Sequence, residues 1–455
     1  YKPVEPPVGK ESLYATQFKN LPIGQMEEKF ADYGEVQIKQ LNDRSKMYYT
    51  PNKENNVFQL VVQYGAGERE FPKLGYAAQL MNNAGIMGAY EPQELKEELS
   101  KLNATCHVTA DDDNLYIIME GYEATLPQAC QLLSRQILMP KLDEKQLARL
   151  KGSAMGMRQQ RKDNVSILNE ALRQYMLYGE KSDYIKELTD KEIYELQISE
   201  LTGDINRASN YEAKVFFTGT LPFDQVYDIL SKNLPLVANE RPSNSPQAKE
   251  MMPVTENTVY FLPNNDAEQA QIHLYIPMQK ADKKDDVLRS AFNQYFGLDF
   301  TGIVLNEIRE KRSMAYTAYA FVGTQGIAGK ASYLRGYIGT QNDKANDALD
   351  VLMSLVNDMP KNPERIGNIK SYLRQAMLTS HPSFRNKAME LVDLGYRGYT
   401  DDPAKENLPK VDALTFDDIV KFYEENIKGK PYCISIMGNP KDIDLKRLEK
   451  FGKVV

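Results

Sequence analysis

The order of elements read over the first 240 residues recurs from about residue 258, and this repeat limits the possible folds more than any single motif. The stretch 36–64 reads as two strands around a turn, being rich in β-branched and aromatic residues with Asn, Asp and Pro clusters between. A helix is predicted over 73–83, and another over "PQELKEELSKLNA". The hairpin "CHVTADDDNLYIIMEG" follows, then helices over 126–138 and 144–160, further helices to about 200, the strand "AKVFFTG" and a helix from near Phe223. The second pass gives strands "TVYFLPN" and "AQIHLYIPMQ", helices "DDVLRSAFNQYFG" and "GIVLNEIREKR", then strands "AYTAYAFVG" and "ASYLRGYIGTQ". Local detail repeats too: "LLSRQILMPK" faces "LMSLVNDMPK", and "KVFFTGTLPFDQVYDIL" faces "YCISIMGNPKDIDLKRL". The simplest reading is an α+β chain of two homologous domains, residues 21–240 and 241–455, joined through the polar, proline-containing "ANERPSNSPQAKEMMP" at 238–253. Paired, alternating strands predict a mostly antiparallel sheet in each domain, with helices packed on one face. The opening "YKPVEPPVGKES" is rich in proline and charge, and residues 1–20 are expected to form a tether leading from something upstream of Tyr1.

Composition narrows the function classes. Fifty-six basic and 63 acidic residues give a net charge of −7 and are interspersed, so no face is set apart to track a phosphate backbone, and no nucleic-acid partner is expected. No apolar run reaches the ~18 residues of a transmembrane segment. The three cysteines, Cys106, Cys130 and Cys433, are odd in number and far apart, which argues against a disulfide framework and reads them as small buried hydrophobes.

Metal and nucleophile motifs are scarce. His107, His273 and His381 are isolated, and neither H-x3-H nor C-x2-C occurs. "ADDDNLY" lacks the glycine and terminal glutamate of an EF-hand loop and sits where a turn between strands is expected. Met155 and Met157 read as core fillers of an amphipathic helix. Neither a glycine-rich phosphate loop after a strand nor a G-x-S-x-G elbow appears.

The stretch "LNEIREKRSMAYTAYAF" changes from helical spacing to strand alternation between Arg309 and Tyr316. On its helix Phe300, Ile303, Val304 and Ile308 are predicted to form the apolar stripe, with Glu307 and Lys311 an i, i+4 pair on the wet side and Arg309 at the stripe's edge. Two tandem domains with the element "NEIREKRSMAY" in the second resemble the pitrilysin/insulinase family of zinc metallopeptidases, which includes mitochondrial processing peptidase. The Arg-x6-Tyr spacing of Arg309 and Tyr316 is the most specific part of the resemblance.

The resemblance implies the LuxS/processing-peptidase-like fold for each domain and an inverted zinc motif, H-x-x-E-H, on the first helix of a catalytic domain. In "LGYAAQLMNNAG" the three motif positions fall on Ala78, Met81 and Asn82, and the helix that should add a downstream glutamate has no acidic residue from 146 to 162. The chain therefore resembles the non-catalytic C-terminal half of such a peptidase. It is expected to hold no metal itself, to pair with a zinc-bearing half in the same polypeptide or a separate subunit, and to close over an extended peptide that adds a strand to a sheet edge. By the same resemblance Arg309 and Tyr316 would bind substrate and stabilise its transition state, and a periplasmic or envelope location is favoured. The rival reading is a pseudopeptidase kept as a binding or scaffold subunit, like the core subunits of the respiratory bc1 complex.

Overall fold

The computed structural model describes residues 3–4, 12–22, 27–161, 164–298 and 300–455. Of the expected tether at 1–20, residues 1, 2 and 5–11 lie outside the described residues. Within the same stretch Ser12 caps a helix over Leu13–Lys19, its hydroxyl accepting from the Ala15 amide.

Among the described residues twelve strands form two six-stranded sheets. In the first half these are β1 (Gln37–Gln40), β2 (Lys46–Pro51), β3 (Val57–Tyr64), β4 (Ala104–Ala110), β5 (Leu115–Tyr122) and β6 (Ala213–Gly219), in spatial order β1-β2-β6-β3-β5-β4. In the second they are β7 (Thr258–Pro263), β8 (Gln269–Lys280), β9 (Ala315–Thr324), β10 (Ala331–Gln341), β11 (Cys433–Gly438) and β12 (Lys453–Val454), in order β9-β10-β8-β11-β7-β12. Read from opposite ends the orders coincide, with β4 matching β9 and β6 matching β11. The parallel pair recurs as well: β2 runs parallel to β6 and β7 to β11. The matching end strands come from opposite termini, β1 from the N-terminal side and β12 from the C-terminal side, so the repeat is permuted at that edge. The stretch 36–64, expected to hold two strands, holds three. "LNDRS" and "NKENN" each turn the chain, the second through Asn52, whose side chain accepts from the amides of Glu54 and Asn55.

Strand alternation decides what is buried. Phe58, Leu60, Val62 and Tyr64 of β3 face the first half's helices, and Ile272, Leu274 and Ile276 of β8 face the second's. Each such side chain contributes about 1.5–3 kcal/mol of apolar burial, which is what fixes the register. The opposite face of each sheet is covered by one helix from the other half. The Lys387–Tyr396 helix lays Ala388, Leu391 and Val392 on Val36, Val61 and Phe216, while the Val165–Tyr178 helix lays Met176 and Leu177 on Tyr275 and Cys433. The two halves thus exchange helices, while each keeps a main core of its own.

Candidate functional site

The element that carries Arg309 and Tyr316 is less regular than its sequence suggests. Gly302 caps one turn over Ile303–Leu305, and the helix then widens over Asn306–Glu310, the Lys311 amide donating to Asn306 five residues back at 2.9 Å. Ser313 takes a left-handed conformation, φ 50°, that reverses the chain into β9. Ile303, Val304 and Ile308 are buried as expected. Phe300 is not part of the stripe: it precedes the helix, and its ring is 76% exposed.

β9 opens on a bulge, since its pairing with β10 shifts between Ala315 and Thr317. The shift re-aims Tyr316, which strict alternation would place with the buried Ala318 and Ala320; its ring is instead 77% exposed. The Arg309 guanidinium lies 5.0 Å from the centre of that ring and 5.9 Å from that of Phe300, so the cation sits between two exposed aromatic rings. Arg309 Nε is also 3.4 Å from Glu310. Beside it Glu307 is gripped by Lys311 at 3.1 Å and Arg312 at 2.5 Å. Burial pushes the Glu307 carboxyl up, but the hydrogen bonds from Arg312 and Lys311 outweigh it and hold the group below the usual carboxylate range. A cavity of about 730 Å³ adjoins the element, with Phe300, Ile303, Asn306 and Tyr372 in its wall. Sequence reasoning missed Phe300 as a neighbour of Arg309; the glycine at 302, which starts the helix late, was the available signal.

The degenerate motif helix, Leu74–Met81, turns Ala78 and Met81 into the first core, each 1% exposed. Asn82, which caps the helix, spends its amide on β4: its Nδ2 donates to the Val108 carbonyl and its Oδ1 accepts from the Val108 amide, both at 2.8 Å. Ala154 faces this helix from Glu144–Arg161 and is buried too. Two buried apolar side chains and an engaged amide do not fit zinc, which takes thiolate, imidazole or carboxylate donors. Among the described residues no three His, Cys, Asp or Glu side chains converge on one point.

Other candidates fall elsewhere. His107 lies on β4, His273 is buried on β8, and His381 follows the Ile366–Thr379 helix. Asp111 shapes the β4–β5 turn by accepting from the amides of Asp113 and Asn114. Cys130 and Cys433 are buried as expected, whereas Cys106 is only half-buried; all three are free thiols. Met155 packs against the core, but Met157 does not: it is exposed and faces a cavity in front of the motif helix, because it lies on the outer side of Glu144–Arg161.

Residues 209–369, which include Arg309 and Tyr316, match the family model described as the peptidase M16 inactive domain. No curated protein matches the chain in sequence. Among solved structures, a peptidase M16 inactive domain from Pseudomonas fluorescens is similar with a TM-score of 0.69 at 17% identity, over 90% of this chain and 99% of that one. The ferredoxin protease FusC in complex with Arabidopsis ferredoxin gives 0.69 at 12% identity, over 93% of this chain and 49% of that one. The periplasmic protease PqqL from Escherichia coli gives 0.66 at 12%, over 93% and 50%. The chain spans about half the length of these two proteases. No helix among the described residues is long and apolar enough to cross a membrane. The inactive-domain match thus falls on the segment that holds Arg309 and Tyr316, and the fold along the chain is similar to that of the M16 inactive domain from Pseudomonas fluorescens.

Proposed function

We propose that the chain, a tether at 1–20 followed by peptidase-like domains at 21–240 and 241–455, closes over an extended peptide and presents Arg309 and Tyr316 to a zinc-bearing partner half. The observation that carries this reading is the bulged-out Tyr316 with the Arg309 guanidinium stacked on its ring. A structural tyrosine in a strand is ordinarily half-buried, and here the backbone departs from regular pairing to expose it.

Zinc in the partner half would polarise the scissile carbonyl as a Lewis acid. The Tyr316 hydroxyl is a single O–H donor suited to the oxyanion that develops as that carbonyl becomes tetrahedral. Arg309 offers a planar fork of N–H donors to substrate carbonyls or a carboxylate, and its stack on Tyr316 limits the orientations of both groups before substrate arrives. A periplasmic or envelope location is part of the proposal, supported by the likeness to PqqL.

The test is reconstitution. The chain is mixed with a zinc-bearing half under conditions where binding is shown by sedimentation, and hydrolysis of a quenched fluorescent peptide is followed. Turnover is expected only with both halves present. A bound complex that hydrolyses no faster than the zinc half alone sinks the proposal and leaves the scaffold reading.

A further inference from the structure

The amide contacts of Asn82 have a twin in the second half. Asn293, near the end of the Asp286–Phe296 helix, donates from Nδ2 to the Val322 carbonyl at 3.0 Å and accepts the Val322 amide at 2.6 Å. Val108 and Val322 lie on β4 and β9, the matching end strands of the two sheets. "MNN" and "FNQ" place the asparagines at corresponding points of the repeat, each on the helix that packs beside its end strand.

In an antiparallel pair, successive residues turn their N–H and C=O alternately toward the partner strand and away from it. Val108 and Val322 give both groups to an asparagine side chain, so at these positions the groups point outward, where an added strand would pair. A primary amide offers one donor and one acceptor in the spacing of a peptide unit, so each asparagine occupies the place that one residue of an incoming strand would take. On β9 the closure extends further. The Ala320 amide donates to the Gly297 carbonyl at 3.0 Å, and Ala318 is buried. Gly297 permits this approach, since a Cβ there would meet Val304 at 2.9 Å and the Ala320 nitrogen at 3.1 Å. On β4 the clamp leaves Ala104, itself buried, to His107 on one side and only Thr109 and Ala110 on the other.

We infer that Asn82 and Asn293 are edge clamps that close the β4 edge of one sheet and the β9 edge of the other to strand addition, so that a peptide lying along either edge is held through side chains and not as an extra β-strand. Closure of the edges is independent of the peptidase reading; only its consequence for a substrate peptide rests on it. The consequence replaces the expected strand addition with contacts of the Arg309 and Tyr316 kind.

The experiment uses the full chain alone. Amide hydrogen exchange is followed at Val108 and Val322 in the wild type, Asn82→Ala, Asn293→Ala and Asn82→Asp. Binding of an end-blocked, fluorescent peptide of alternating threonine and valine is measured alongside. The Val108 amide is expected to exchange on the order of 10-fold faster in Asn82→Ala, and Val322 likewise in Asn293→Ala. Asn82→Asp keeps the acceptor, so Val108 should stay slow there, which also serves if the alanine variant does not fold. Peptide binding is expected in an alanine variant and not in the wild type. Wild-type chain that binds the peptide with new protection along β4 or β9 overturns the inference, as does a Val108 amide that exchanges equally fast in wild type, Asn82→Asp and Asn82→Ala. No zinc half is present, so failure here leaves the reconstitution result untouched, and the reverse holds as well.

Discussion

Replacing Tyr316 with phenylalanine removes one hydroxyl from a ring that is 77% exposed and leaves the stack on Arg309 in place. A surface change of this kind alters stability by no more than about 0.5 kcal/mol. For a chain of this size that is a melting shift of at most roughly 2 °C. If the hydroxyl donates to a developing oxyanion, the assembled enzyme should lose on the order of 10²–10³ in kcat, about 2.7–4 kcal/mol of transition-state stabilisation. Arg309→Ala should act differently. It forfeits a partly exposed cation–π contact of about 0.5–1 kcal/mol and, as a binder of substrate carbonyls, should raise KM more than it lowers kcat. Because the two groups are 5.0 Å apart, their effects should be non-additive in a double-mutant cycle. The assay is steady-state hydrolysis by the reconstituted complex, with thermal melts of each variant. A Tyr316→Phe complex with wild-type kcat would refute the assignment. So would a melting point lowered well beyond 2 °C, since the ring would then be structural.

Three further outcomes follow from buried groups. Restoring the motif with Ala78→His, Met81→Glu and Asn82→His together should give a destabilised chain without stoichiometric zinc, because positions 78 and 81 face the core; bound zinc at an unchanged melting point would contradict this. Glu68 has its carboxyl pushed up to about 7, first by burial and then by Asp112 and Asp111. The folded chain therefore keeps a proton that the unfolded chain loses near 4.5, and stability declines as pH rises between these values. Glu68→Gln should be neutral at pH 4 and stabilising at pH 8 by about 1–2 kcal/mol, discounted for partial exposure, and a difference independent of pH in urea titrations would refute it. His273 is held down to about 3 by burial and by the Arg335 and Arg173 cations, with Glu170 opposing. The unfolded chain takes its proton first, so stability should fall as pH drops below 6.5 and continue falling toward 3. His273→Gln should remove about 3 kcal/mol of that loss at pH 4, and parallel unfolding curves for variant and wild type at pH 7 and pH 4 would show the reasoning wrong.

Much of the fold was legible because the repeat supplied each element twice. The hairpin around Asp111, the Leu126–Leu138 helix and the strands β6 to β11 lie where periodicity and turn chemistry put them. What escaped was set by contacts between elements distant in sequence. The apolar faces of Val165–Tyr178 and Lys387–Tyr396 are visible in their spacing, but nothing local says that each covers the other half's sheet. Met157 follows the helical pattern of its neighbours and still points outward. At the candidate site, the Arg-x6-Tyr spacing identified the pair, but neither the widened turn at Asn306–Glu310 nor the bulge at Tyr316 has a composition of its own. Without them the phenol would have been assigned to the core.

The two halves use the same junction, from first helix to end strand, in opposite ways. Both have the asparagine that reads the backbone of the end strand, and both sheets keep the same strand order although the sequences differ. In the first half, the positions that would bear metal ligands are Ala78 and Met81, drawn into the core, with Asn82 spent on Val108. In the second half, the segment after Gly297 runs on through the Ile303–Glu310 turns and the left-handed Ser313 before β9 begins. That irregular segment carries Arg309 out of the helix packing, and the bulge carries Tyr316 out of the sheet. The exposed Arg309–Tyr316 pair therefore arises only where the backbone departs from regular pairing, which would have buried the phenol beside Ala318 and left the guanidinium without its ring.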